Sequence, residues 1–150
     1  MQTRLSTLAD APIIASFNKA MAFEIEQKKL DNELALLGVK NLMKQPQYGF
    51  YVVTEIDSEI IASLMITYEW SDWRNNLIWW IQSVYVKPEY RKQGAFKRML
   101  VFVEQLAKQQ NINYIRLYME KENRTAHQVY LQNNFTETDY LMFEKNMDSL

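Results

Sequence analysis

Residues 83–100 read SVYVKPEYRKQGAFKRML, and the rest of the chain is most easily interpreted outward from this segment. A short apolar strand leads through a proline-marked turn into a basic stretch with one glycine, and an amphipathic helix follows. Because the chain has only three glycines, Gly94 at a loop-to-helix junction indicates a specific requirement. Glycine allows unusual dihedrals and close approach of a ligand to the backbone, and the first amides of a helix attract anions. The segment therefore predicts a phosphate or pyrophosphate site.

This segment matches neither the P-loop nor the three-glycine dinucleotide motif. Residues 91–96, RKQGAF, instead resemble the Arg/Gln-x-x-Gly-x-Gly/Ala signature of the GCN5-related N-acetyltransferase (GNAT) family, which holds the pyrophosphate of acetyl-CoA. Phe96 stands where that signature usually has Gly or Ala, which matters little if the loop binds through its backbone and the ring turns away. The alternative is a plain helix start with a glycine hinge and a solvated basic patch.

Length and composition limit the classes of protein to consider. A chain of 150 residues predicts one domain, residues 1–150, and an apolar fraction of 48% excludes disorder. A net charge of −1 argues against a general nucleic-acid binder. Because there is no cysteine and only one histidine, thiolate zinc sites, cysteine nucleophiles and histidine-rich metal sites are excluded, and we expect no metal.

The same properties predict where the protein works. No apolar run approaches the ~20 residues that span a bilayer, so we expect no membrane insertion. Residues 1–10 are polar and lack the apolar core of a signal peptide. The expectation is a cytoplasmic protein.

Apolar periodicity predicts an α/β chain, more closely an α+β mixed sheet with helices on both faces. Helices are expected to begin near Asp10, Asp31, Gly94 and Asn123. Strands are expected at residues 2–6, 50–56, 59–69, 77–86 and 114–120, with closing strands at 136–139 and 141–144.

A second segment, residues 123–135, reads NRTAHQVYLQNNF and resembles the Asn-x-x-Ala-x-x-x-Tyr-x-x-x-Gly-Phe block of the same family. Asn134 replaces the glycine, a mild exchange because asparagine tolerates left-handed dihedrals. The spacing i, i+3, i+7 places Asn123, Ala126 and Tyr130 on one helix face. The alternative is a capping asparagine and a core tyrosine. His127 is expected to be a surface residue rather than a base.

The resemblance implies a GNAT-like fold, with a central, mostly antiparallel sheet whose splayed strands open a cleft for acetyl-CoA, the acetyl donor. It implies that Val84, Tyr85 and Val86 pair with pantetheine and hold the acetyl carbonyl. The residues implied at the pyrophosphate are Arg91, Lys92, Gln93, Gly94, Ala95, Phe96 and Lys97. The residues implied along the pantetheine are Asn123, Ala126 and Tyr130, with Tyr130 as the acid that protonates the leaving thiolate.

The acceptor side is predicted from carboxylates and aromatic residues. Glu69 is the candidate base, acting through a water chain, and each carboxylate has the alternative of being a solvated surface charge. Aromatic walls beside carboxylates suit a cationic amine, although ordinary sheet packing explains tryptophans as well. The candidate acceptor-binding residues are Glu24, Trp70, Asp72, Trp80 and Gln82.

The leading hypothesis is acetyl transfer from acetyl-CoA to a primary amine, that of a small molecule, by direct attack in a ternary complex. One alternative keeps the enzyme but makes the acceptor a protein N-terminus or lysine. Another is a non-catalytic acyl-CoA sensor. A homodimer is left open.

Overall fold

The computed structural model describes residues 1–149, which divide into two compact units, Met1–Tyr118 and a second beginning at Met119. The helices and strands of the first unit are β1 (Gln2–Leu5), α1 (Ala11–Glu26), α2 (Asn32–Met43), β2 (Gly49–Ile56), β3 (Glu59–Ser71), β4 (Asn76–Val86), α3 (Ala95–Gln109) and β5 (Ile115–Leu117). The second unit contains α4 (Arg124–Gln132). Short 3-10 turns cover Leu8–Asp10, Pro88–Tyr90 and Met147–Ser149.

The first unit is built on a five-stranded sheet in the order β1-β2-β3-β4-β5. The first four strands are antiparallel, and β5 runs parallel to β4, so the sheet is mixed, as predicted. Tyr51 and Val53 face α1 and α2, forming a core with Ile14 and Val39. From the other face α3 buries an apolar stripe made by Met99, Leu100, Val103 and Ala107.

The predicted helix starts form through the expected side chains, with one exception. Asp31 accepts from the Leu34 amide at 2.8 Å, and Asn123 accepts from the Ala126 amide at 3.1 Å. Asp10 precedes α1, but its carboxylate does not cap that helix. It instead accepts from the Thr7 amide at 2.7 Å and from Arg4 at 2.8 Å, because a charged partner lies nearby on β1.

Strand β2 begins at a glycine that no other residue can replace without distortion. Gly49 has a φ of +154°, and a Cβ there would lie 1.9 Å from the Ile66 carbonyl oxygen. Only glycine lets the two backbones approach so closely while β2 pairs with β3.

One predicted strand is shorter than expected, and two predicted strands are wrong. The strand predicted at 114–120 is only Ile115–Leu117, and the closing strands predicted at 136–139 and 141–144 do not form within the described residues. Local alternation is enough to predict an extended segment, but a strand requires a partner backbone. Within residues 136–144, where the closing strands were predicted, the side chains of Tyr140, Leu141 and Phe143 are exposed.

No helix within residues 1–149 combines the length and the apolar character needed to cross a bilayer.

Candidate active site

The end of β4 departs from regular sheet geometry where the cofactor strand was predicted. Between the pairs Met65–Gln82 and Ser63–Tyr85, β4 contains one residue more than β3, and Ser83 adopts a φ of +51°. This is a β-bulge, a feature that bends a strand and ends regular pairing. Pairing of β4 with β5 stops at Ile81–Leu117, five residues before β4 ends at Val86. The two strands therefore part at residues 82–86.

The backbone of Val86 faces this unpaired edge. The Lys87 amide donates to the Ile61 carbonyl of β3 at 2.9 Å. Because successive residues of a strand turn their polar groups to opposite edges, Val86 directs its amide and carbonyl away from β3. The carbonyl accepts a bond from Arg91 Nε at 2.9 Å. The predicted strand residues Val84, Tyr85 and Val86 thus border the gap.

The predicted anion loop has the backbone expected of one. Lys92 has a φ of +62° and Gly94 a φ of +85°, and α3 begins at the next residue. No heavy atom lies within 4 Å of a Cβ built at Gly94, so space beside this glycine is open. Gln93 is tied back to the Glu89 carbonyl at 2.9 Å, whereas Lys97 is exposed.

An open groove of about 540 Å³ lies between helix α3 and strand β1. Gln93, Gly94 and Lys97 contribute to its wall, together with Arg98. Ala95 is buried against the sheet, and the Phe96 ring is half-buried. The loop therefore offers backbone amides and cations in one place.

The sheet register brings three acceptor-side residues to the face that packs against α1 and α2. Glu69, Trp80 and Gln82 lie on this face because Thr67 pairs with Trp80 and side chains alternate along each strand. The Trp80 indole donates to Glu69 Oε1 at 3.1 Å, and Gln82 donates to Thr67 at 2.8 Å. Trp79 precedes Trp80, so its side chain points to the opposite face, where it is fully buried.

Sequence reasoning missed a residue that holds Glu69. Arg116 of β5 donates to Glu69 Oε2 at 3.1 Å, so both carboxylate oxygens of Glu69 accept hydrogen bonds. The Tyr118 ring lies 6.1 Å from the Trp80 ring. The available signal was a charged side chain in the middle of the short apolar strand Ile115–Leu117.

Trp70 and Asp72 are not brought to this group. Trp70 follows Glu69 on β3, points to the opposite face and is 60% exposed. The Asp72 carboxylate accepts from the Trp73 amide at 2.9 Å within the β3–β4 turn. In this structure both residues therefore belong to the exposed end of the hairpin.

Glu24 contacts both Tyr85 of β4 and Arg91 of the predicted anion loop. Its Oε1 accepts from the Tyr85 hydroxyl at 3.3 Å and its Oε2 accepts from Arg91 Nη2 at 2.8 Å. The Tyr85 ring also packs on Phe17 of α1, with 4.9 Å between centroids. Burial, followed by the charge of Glu24, raises the pKa of Tyr85 above its ordinary value. The contact between Glu24 and Arg91 could not be predicted from the sequence, because the two residues are 67 positions apart.

The second unit carries the remaining predicted residues, all on or beside α4. Asn123 caps the helix through the Ala126 amide, as its position predicted. The Tyr130 ring packs edge-on against Phe135 with 5.8 Å between centroids. Burial raises the pKa of Tyr130 above its ordinary value. His127 is exposed and lies 3.6 Å from Glu137, as expected of a surface residue.

Comparison with known proteins identifies the family pattern. A model described as the Acetyltransferase (GNAT) family matches residues 13–135. The S-alkylcysteine N-acetyltransferase of Bacillus subtilis (strain 168) is 24% identical over 106 residues, and the match covers 68% of this chain and 58% of that protein.

Solved structures share the fold. A possible acetyltransferase from Clostridium difficile 630 is 40% identical, with a TM-score of 0.90 and 97% of each chain covered. A predicted acetyltransferase from Clostridium acetobutylicum, solved with acetyl-CoA, is 22% identical with a TM-score of 0.80, covering 99% of this chain and 97% of that one. The second likeness bears on the fold alone.

Proposed function

The chain belongs to the GNAT family of acetyltransferases, which use acetyl-CoA, and on that premise we propose that it acetylates the primary amine of a small molecule. The observation that carries the proposal is the end of β4, where pairing with β5 stops at Ile81 and a bulge follows at Ser83, ahead of the loop containing Gly94. An unpaired strand edge and a glycine-led helix start together offer a place for an extended ligand with a diphosphate.

The residues present fit acetyl-CoA. Gly94 has open space where any other residue would carry a Cβ, so a diphosphate can approach the amides of the loop. Lys97 and Arg98 add positive charge beside those amides. The remaining predicted pyrophosphate contacts, Arg91, Lys92, Gln93, Ala95 and Phe96, and the pantetheine contacts, Asn123 and Ala126, remain part of the proposal.

Acetyl-CoA supplies, when bound, an acetyl thioester whose thiolate leaves readily. Val86 offers its amide at the edge of β4, where it can stabilise charge on a carbonyl oxygen. Tyr130 is the proposed donor of a proton to the departing thiolate. Because the chain has no cysteine, we infer direct attack by the amine rather than a cysteine intermediate.

Glu69 is our candidate for the group that receives the amine proton. Arg116 and Trp80 donate to its two carboxylate oxygens and hold the side chain in place on the sheet face. We expect the amine proton to reach it through a chain of water molecules. Glu69→Gln should lower kcat in the acetylation assay while leaving binding of acetyl-CoA unchanged. An unaltered kcat would remove Glu69 from this role.

The acceptor is proposed to lie beside Glu24, Trp80 and Gln82, with Trp70 and Asp72 nearer the exposed hairpin end. The name of the Bacillus subtilis relative suggests an S-alkylcysteine as one amine to try.

Thiol release from acetyl-CoA tests the proposed function. The panel contains small primary amines, an S-alkylcysteine, a peptide with a free N-terminus and an N-blocked peptide with one lysine. We expect thiol release only with small amines. Acetylation of peptides alone would favour a protein acceptor. If CoA raises the melting temperature but no amine is acetylated, the protein is an acyl-CoA sensor.

A further inference from the structure

The side chain of Arg91 occupies a site that has the chemistry of a cation receptor. Its guanidinium bonds the Glu24 carboxylate at 2.8 Å and lies over the Tyr85 ring, with 5.6 Å from Cζ to the centroid. The Val86 carbonyl accepts from Nε of the same group at 2.9 Å. A carboxylate, an aromatic face and a carbonyl are the three groups that best stabilise an organic cation.

The Tyr85 ring in this site is buried, whereas the ion pair between Arg91 and Glu24 beside it is partly exposed. Tyr85 is only 7% exposed, held by the Phe17 ring and by its own bond to Glu24. The Arg91 and Glu24 side chains are 43% and 39% exposed. Exposed ion pairs contribute little stability, so another cation can replace the guanidinium at small cost.

The site also lies where the acceptor is proposed to bind. After the bulge, Tyr85 pairs with Ser63, which places its side chain on the sheet face that carries Gln82 and Trp80. Arg91 is the first residue of the anion loop, so a diphosphate on that loop competes with Glu24 for the same guanidinium.

We propose that Glu24 and Tyr85 form a subsite for a cationic group of the acceptor, and that Arg91 fills this subsite until the donor diphosphate attracts it. The inference rests on the proposed function and narrows it. Because the attacking amine must be neutral, the cation bound here is a second group, so the acceptor is a primary amine that also carries an ammonium or guanidinium. Binding of acetyl-CoA then draws Arg91 away from Glu24 and Tyr85, so that these two side chains can bind the acceptor's cationic group.

A matched pair of acceptors tests the subsite in the acetylation assay. 4-Guanidinobutylamine carries the same charged group as Arg91, and n-butylamine lacks it. We expect kcat/KM to favour the guanidino amine, and Glu24→Gln to reduce this preference about tenfold, the value of one charge pair with cation–π contact. Glu26→Gln, at an exposed carboxylate of the same helix end, should keep the preference.

Calorimetry with the same amine tests the role of Arg91 without turnover. 4-Guanidinobutylamine should bind the wild-type protein about fivefold more tightly in the presence of CoA, and CoA should gain equally from the amine. Glu24→Gln should abolish this coupling.

The outcomes separate the two proposals. If neither amine is acetylated, the calorimetric coupling alone decides the subsite, and the proposed function fails only if no small amine of the wider panel is acetylated either. If n-butylamine is acetylated but the guanidino amine has no advantage, or keeps its advantage in Glu24→Gln, the subsite is wrong. Equal amine affinity with and without CoA overturns the role of Arg91.

Discussion

Tyr130 has the most specific predicted role, because it must donate its hydroxyl proton to the thiolate as that group leaves. A tyrosine hydroxyl is protonated at neutral pH, and burial raises its pKa further. Tyr130→Phe should lower kcat about tenfold to a hundredfold, at the low end for an acid because the thiolate leaves readily. The KM for acetyl-CoA should change little. Steady-state kinetics with both substrates varied measures this.

The control for this variant is Tyr48→Phe, at an exposed tyrosine on the approach to β2. Its kinetics should match those of the wild type. A Tyr130→Phe enzyme with wild-type kcat would show that another group, or water, protonates the thiolate.

Gly94 is the residue on which the proposed donor site depends. Its φ of +85° is one that a β-branched side chain rarely adopts, and a side chain there would fill the open space beside the loop. Gly94→Val should raise the KM for acetyl-CoA by about tenfold or more, equivalent to about 1.4 kcal/mol of lost binding. Gly38→Ala, a helical glycine with nothing within 4 Å of the added carbon, is the matched control. Unchanged KM in Gly94→Val would place the donor elsewhere.

At the scale of elements, the turn Leu8–Asp10 is joined to the edge of the sheet through charge. Arg4 bonds both Asp10, at 2.8 Å, and Glu55 of β2, at 3.0 Å. The bond from Arg4, strengthened by the Thr7 amide, lowers the pKa of Asp10 despite its burial. Arg4 therefore links β1, on which it lies, to Glu55 of β2 and to Asp10 at the start of α1.

This pair predicts a pH dependence of stability. A carboxyl with a lowered folded pKa stabilises the fold above its unfolded value of about 3.9, and the contribution is lost as pH falls through the folded pKa. Asp10→Asn should cost about 2 kcal/mol at pH 7 and lose less stability than the wild type between pH 5 and pH 3. Urea unfolding at several pH values measures both.

The control for the pH series is Asp57→Asn, at an exposed residue of the β2–β3 turn. It should follow the wild type at every pH. Parallel stability curves for wild type and Asp10→Asn would mean that Asp10 is not the titrating group.

Elements could be predicted from the sequence where the signal is local. Asp31 and Asn123 cap their helices because a cap depends on residues three positions away. Asn134 takes the left-handed φ of +65° expected after α4. The bulge at Ser83 could not be predicted, because it exists only relative to the register of β3.

The candidate site, like the helices and strands, could be predicted only where its sequence signal is local. The loop around Gly94 has a local signature, whereas the pair Glu24–Arg91 joins residues 67 positions apart. Asp10 lies at the N-cap position of α1, but its carboxylate bonds Arg4 of another element instead of capping the helix, and that bond could not be predicted locally. The closing strands failed for the related reason that pairing is not a local property.

At the scale of the whole molecule, the homodimer left open by the sequence stays a prediction. Residues 140–143 expose four consecutive apolar side chains, which is unusual for a surface that meets only water. Light scattering of the purified protein over a range of concentrations would measure the mass directly. A monomer at every concentration would exclude the homodimer.

The global stability of the chain should report donor binding, because a ligand that binds only the folded state stabilises it by mass action. At one hundred times its dissociation constant, acetyl-CoA should add about 2.7 kcal/mol. For a chain of 150 residues this corresponds to a rise in Tm of about 5–10 °C. ATP at equal ionic strength should give a smaller shift, and Gly94→Val should lose most of the response to acetyl-CoA while Gly38→Ala keeps it. An equal shift in all three proteins would mean that acetyl-CoA binds away from the Gly94 loop, since the substitution at its centre would then leave affinity untouched.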